Sequence, residues 1–173
     1  MRLRTTLFRA HNPRWSFEPV SGKGAALYGG RFNPVKVEAL YTSRRMETAW
    51  LEAQQGFAGK TQPLTICSYD VDCDNIVNLT DRDELRRLGI SYSDLKCPWE
   101  DMVDRGLTPP TWTLAKQLIS AGANGISVQS FARGADSDRD INVVFWKWTN
   151  RLPNKVVVID DEQRLPRNDS SWK

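Results

Sequence analysis

A chain of 173 residues, 40% hydrophobic and 26% charged, holds enough apolar area for one globular core and too much for a disordered chain. Its 24 basic and 21 acidic residues leave a net charge of +3, and the local excess is confined to residues 1–14, where Arg2, Arg4, Arg9 and Arg14 have no acidic neighbour; a nucleic-acid binder carries a denser basic stripe. Cys67, Cys73 and Cys97 lack CxxC spacing and His11 is the only histidine, which argues against a zinc site or a disulfide framework, and the longest apolar runs fall short of a membrane span. The expectation is a metal-free cytoplasmic protein.

In chain order, the first candidate strands are short and flank a glycine pair: residues 25–28 before YGGRFN and residues 39–42 after it. Residues 43–55, SRRMETAWLEAQQ, are predicted as a helix with Ser43 as its cap and Gly56 as its stop. Met46, Ala49, Trp50 and Ala53 form its apolar stripe, and Glu52 lies near the edge of that stripe, where it can look into a cleft. A strand is predicted at 64–71. A helix follows Thr80 as its cap and ends at Gly89, with Asp81, Asp83 and Glu84 suiting its positive end. The next helix begins at Pro109-Pro110 and stops at Gly122, with Trp112, Ala115 and Ile119 on one face and Leu118 beside them. Strands at 126–130, 142–148 and 155–160 complete an α+β domain with one mixed sheet, taken as residues 1–165 with a polar tail at 166–173.

No Ser-His-Asp set can be assembled around the lone histidine, and no GxGxxG or GK[ST] phosphate loop occurs. What remains is an ordered set: Arg9, Gly29-Gly30-Arg31, Tyr41, Glu52 and Ser130. With FRAHNPRW, GGRFNP, ALYTS, AWLEAQ, NGISVQSFAR and NVVFWKW, this order resembles the RES-domain proteins, named for an arginine, a glutamate and a serine recurring in that sequence. The resemblance implies a fold similar to the ADP-ribosyltransferases, NAD+ as substrate, and a bacterial toxin paired with an Xre- or ParS-like antitoxin. It implies Glu52, Arg31 and Tyr41 as catalytic residues, and Arg9, Gly29, Gly30, Arg31, Tyr41 and Ser130 as the NAD+-binding set, with Ser127 as the alternative serine. The chain departs from the family at Phe32, where tryptophan is frequent, at VKVE after NP, where glycine is usual, and at Gln129, where proline is common.

The residue chemistry agrees with that implication. Cleavage of the nicotinamide–ribose bond builds oxocarbenium-like charge that a fixed carboxylate such as Glu52 stabilises. Arg31 can grip a pyrophosphate bidentately, Tyr41 can stack on the nicotinamide ring, and the Ser130 hydroxyl can hold a ribose or amide group. Each residue taken singly also has an ordinary structural reading, and the glycine pair alone reads as a hairpin turn. ADP-ribose would pass to a protein acceptor, or to water or phosphate. Two further readings stay open: an inert nucleotide- or protein-binding module with Trp146 and Trp148 on one strand face, and nucleic-acid binding through the basic amino terminus. RGADSDRD, residues 133–140, reads as a polar loop that could gate the cleft.

Overall fold

Residues 3–11, LRTTLFRAH, point Leu3 and Leu7 inward and Arg4 and Thr6 outward, and so form a nine-residue strand, β1 (Leu3–His11). Its arginines hide this alternation from a composition-based reading, and no strand is expected there. The computed structural model describes residues 1–55 and 61–172. The other strands are β2 (Leu40–Ser43), β3 (Thr65–Cys73), β4 (Ile76–Asn78), β5 (Gly125–Gln129), β6 (Ile141–Phe145) and β7 (Asn154–Val158). They make one mixed seven-stranded sheet in the order β4-β5-β6-β2-β1-β3-β7, in which only β4–β5 is parallel. The fold is therefore α+β around a single mixed sheet, as expected.

The sheet is nearly split. β1 and β3 pair over nine positions, whereas β1 meets β2 at a single pair, Phe8↔Ser43. On either side of that point the two strands part, and the gap is where a cleft can open. One core joins both halves: Leu3, Leu7, Tyr69 and Val71 from the β1–β3 side bury against Leu40, Val143 and Phe145 from the β2–β6 side. Fully burying a side chain such as Phe145 is worth about 1.5–3 kcal/mol, so this core holds the halves together although their backbones barely pair. A second core lies on the other face of β5 and β6, where Ile126, Val128 and Val144 pack against Leu95, Leu114 and Leu118.

The helices are α1 (Lys23–Tyr28), α2 (Met46–Gln54), α3 (Arg82–Leu88), α4 (Tyr92–Leu95), α5 (Trp99–Asp104) and α6 (Pro110–Ser120). Four expectations need correction. Residues 25–28 are the end of α1 rather than a strand: Leu27 and Tyr28 have no strand to pair with and stand 68% and 80% exposed, and Gly29 at φ 75° stops the turn. Ser43 belongs to β2, so α2 starts later, at Met46, without a side-chain cap; the expected stop, Gly56, lies outside the described residues. The cap of α3 is Asp81, which accepts from the Asp83 N–H at 2.8 Å, while the Thr80 hydroxyl turns to Asn78. Trp146 and Trp148 lie beyond the end of β6, and their indoles donate to the carbonyls of Phe32 at 2.9 Å and Val20 at 3.1 Å. They pin loops rather than present a strand face. The buried stripe of α6 is Thr111, Leu114, Ala115 and Leu118, at i, i+3, i+4 and i+7. No helix among the described residues is long and apolar enough to cross a membrane.

Candidate active site

The face that α2 turns toward the sheet carries Thr48, Ala49 and Glu52, so the stripe runs one position off the expected one: Met46 and Trp50 face outward, 50% and 39% exposed. Glu52 thereby lies inward. Its Oε1 accepts from the Ser130 hydroxyl and from the Asn142 Nδ2, both at 2.5 Å. Asn142 is itself oriented by Ser43, whose hydroxyl donates to its Oδ1 at 2.7 Å. Ser130 Oγ also accepts from the Ala132 N–H at 3.1 Å. Two donors on one oxygen fix the carboxylate, and the Gln55 side chain donates to Oε2. Ser43 and Asn142 were missed by the sequence reading. The available signal was Asn142 itself, a polar residue in register with Val144 on the apolar face of a central strand.

Of the two candidate serines, Ser130 reaches Glu52. Ile126, Val128 and Ser130 share the face that meets Glu52, and Ser127 points to the other face. The loop from Ser130 to Asp140 is pinned rather than loose. The buried Asp140 carboxylate accepts from Thr48 Oγ1 at 2.5 Å, from Arg45 at 3.3 Å and from the Asp136 N–H at 2.8 Å. The Thr48 hydroxyl first, then the Asp136 N–H and Arg45, hold its carboxyl below the usual carboxylate range.

The YGGRFN segment is a tight turn. Gly30 and Asn33 exchange backbone hydrogen bonds, at 2.9 Å and 3.3 Å. Asn33, fully buried, donates from Nδ2 to the carbonyls of Ala25, Pro34 and Val37. Its Oδ1 accepts from the Tyr41 hydroxyl at 2.7 Å, and that hydroxyl accepts from the Phe32 N–H at 3.0 Å. Burial raises the Tyr41 pKa well above its ordinary value, so the phenol stays protonated. The space a Cβ would need at Gly30 is filled by this hydroxyl, and at Gly29 by the Trp112 ring. In VKVE, Lys36 adopts φ 73°, a left-handed position that glycine takes at no steric cost. Tyr41→Phe is expected to cost about 1–3 kcal/mol, because it orphans the Phe32 N–H and Asn33 Oδ1; urea denaturation of the two proteins measures it.

Arg31 leaves this turn toward the second core. Its Nη1 donates to the carbonyls of Cys97 at 2.6 Å and Leu95 at 3.3 Å, and its guanidinium lies 5.0 Å from the centre of the Phe131 ring. Burial lowers its pKa, while the nearby charges of Glu52 and Glu100 oppose that shift. Among the described residues Nε and Nη2 make no hydrogen bond, so one edge of the fork remains for an anion.

Arg9 makes no hydrogen bond to this group, although it lines the same cavity as Glu52 and Tyr41. Its guanidinium donates to the carbonyls of Pro19 and Ser21, both at 3.0 Å, on the face of β1 that carries Leu7. Its strand segment still borders the cleft at the split: a cavity of about 280 Å³ is lined by Phe8, Arg9, Tyr41, Ser43, Glu52 and Asn142, among others. Two residues on, His11 has both ring nitrogens buried without a hydrogen-bond partner, and burial, aided by Arg9, pushes its pKa down to about 4. The unfolded chain takes up this proton near 6.5 and the folded one near 4, so the His11 contribution to stability is full above pH 6.5, is lost as pH drops from 6.5 to about 4, and changes no further below that. Chemical denaturation across this range should show the loss in the wild type and a smaller one in His11→Leu.

Residues 6–168 match the family model described as RES domain. The chain belongs to the RES-domain family. Among solved structures, this RES domain is similar to the crystal structure of the MbcT–MbcA toxin–antitoxin complex of M. tuberculosis, at a TM-score of 0.64 and 16% identity over 92% of this chain and 84% of that one. That likeness carries the fold, in line with the ADP-ribosyltransferase-like architecture expected from the resemblance. No curated protein matches the sequence. Within the RES domain, the structure brings Glu52, Tyr41 and Arg9 to the cavity at the split in the sheet, bonds Ser130 to Glu52, and adds Ser43 and Asn142 to them, whereas Arg31 is not among the residues that line this cavity. Among the described residues, no three His, Cys, Asp or Glu side chains converge as a metal-binding group.

Proposed function

We propose that this chain is the toxin of a toxin–antitoxin pair and that it cleaves NAD+ at the nicotinamide–ribose bond, passing ADP-ribose to a protein acceptor in the cytoplasm. The observation that carries the reading is the fixed Glu52 carboxylate, held on Oε1 by Ser130 and Asn142 beside the cleft that Tyr41 lines. In the reaction, the C1′–N bond breaks and its electron pair leaves with neutral nicotinamide. Glu52 stabilises the positive charge that grows on the ribose and accepts a hydrogen bond from a ribose hydroxyl. Arg31 holds the pyrophosphate with the edge of its guanidinium left free by Leu95 and Cys97, and the Tyr41 ring packs on the nicotinamide. The acceptor nucleophile then bonds to C1′ and releases its proton.

Gly29 and Gly30 serve the site through the turn: without side chains they let the Tyr41 hydroxyl and Trp112 close on the backbone that carries Arg31. An Xre- or ParS-like antitoxin is the partner this reading requires, since a free NAD+-consuming enzyme would harm its own cell. Family membership over residues 6–168 supports it.

Incubation with NAD+ labelled in the adenylate half, in a lysate of cells lacking the protein, tests the acceptor. Label on a discrete protein band is the expected result. Label confined to small products would replace transfer with hydrolysis or phosphorolysis of NAD+, and unconsumed NAD+ would refute the enzyme reading.

A further inference from the structure

The strand ends that hold Glu52 have a second face. Ser130 and Asn142 donate to the carboxylate and Ser43 donates to Asn142, and their chain neighbours Arg44, Gln129 and Ile141 line a separate groove of about 1190 Å³ at the carboxy-terminal end of β5. α3 forms its opposite wall with Arg82 and Arg86, and Tyr92 of α4 stands at its rim. Small-molecule sites commonly span about 300–1,000 Å³, so a nucleotide fits with room to spare.

The charge in the groove is one-sided: three arginines line it against one carboxylate, Asp138. Arg86 is paired with Asp83, whereas the guanidinium groups of Arg44 and Arg82 make no hydrogen bond or ion pair among the described residues. Two unpaired guanidinium forks, one on each wall, suit an anion with several acceptor oxygens better than a single carboxylate. Gln129, on the lining of the same groove, can supply a neutral donor. Tyr92 is 48% exposed and offers a ring face to a base.

We propose that this groove is a second ligand site, separate from the Glu52 cleft, that binds a nucleoside polyphosphate with its phosphates between Arg44 and Arg82 and its base against Tyr92. The site is wired to the first. The Tyr92 ring packs on Phe131 with centroids 6.0 Å apart, and the Arg31 guanidinium lies 5.0 Å from the centre of the same Phe131 ring. Occupancy thus bears on Arg31 through two aromatic contacts and on Ser130 through the adjoining Gln129.

Calorimetric titration without turnover tests the proposal, using ATP and inorganic tripolyphosphate as probes. Arg44→Gln with Arg82→Gln should weaken both probes by at least about tenfold, as expected for loss of charged hydrogen bonds. The melting temperature should not change, because neither side chain has a partner to lose. Tyr92→Ala should weaken ATP by about fivefold and leave tripolyphosphate unchanged. Arg31→Ala should weaken ATP by less than the Arg44/Arg82 pair does, since it acts only through the Phe131 and Tyr92 contacts. Absence of ATP binding to the wild type, binding indifferent to the Arg44/Arg82 pair, or binding weakened more by Arg31→Ala than by that pair would each overturn the proposal, whether or not the protein consumes NAD+.

Discussion

Replacing Glu52 by glutamine is expected to lower nicotinamide release from NAD+ by at least about a hundredfold while leaving the fold in place. Glutamine keeps a carbonyl oxygen where Oε1 stands, so the Ser130 hydroxyl and Asn142 Nδ2 retain their acceptor at the same positions. What it removes is the negative charge that opposes the developing ribose cation. The melting temperature should therefore stay near that of the wild type, and the rate should fall. A variant that keeps wild-type turnover would show that Glu52 is not the charge-stabilising group.

The second large effect is expected at Gly30. A methyl there would stand 2.5 Å from the Tyr41 hydroxyl and 2.7 Å from Asn33 Oδ1, well inside contact distance. Gly30→Ala must push apart the bond between those two groups, and with it the buried amide that ties Ala25, Pro34 and Val37 into one turn. A loss of about 2–3 kcal/mol follows from overpacking and from unpaired buried polar atoms. At this chain length that is a fall of about 5–10 °C in melting temperature. Turnover should fall as well, because the same turn aims Arg31. Gly24→Ala is the control: nothing lies within 4 Å of its added Cβ on α1, and the change should be neutral or slightly stabilising.

The sheet was legible where strands are apolar. NVVFW and KVVVI announce β6 and β7 by β-branched and aromatic runs, and both appear within a few residues of the expected positions. β1 was not legible, because Arg9 sits on its buried face and is satisfied by two loop carbonyls that are close only in the folded chain. Residues 25–28 failed for the opposite reason: ALY looks like a strand, yet no strand lies beside it, and local helix propensity prevails. In the site, Glu52 was legible from helix periodicity, and the shift of the stripe by one position made it more inward than expected. Ser43 and Asn142 were not, since their roles depend on the register Ser43↔Asn142 between strands about a hundred residues apart.

The central claim is that the cleft at the split in the sheet cleaves NAD+. Purified protein incubated with NAD+, with free nicotinamide followed by chromatography, tests it most directly. The account predicts nicotinamide release that depends on enzyme concentration and disappears in Glu52→Gln. No release from folded wild-type protein, with lysate and phosphate supplied as acceptors and a known NAD+-cleaving enzyme active beside it, would contradict the account.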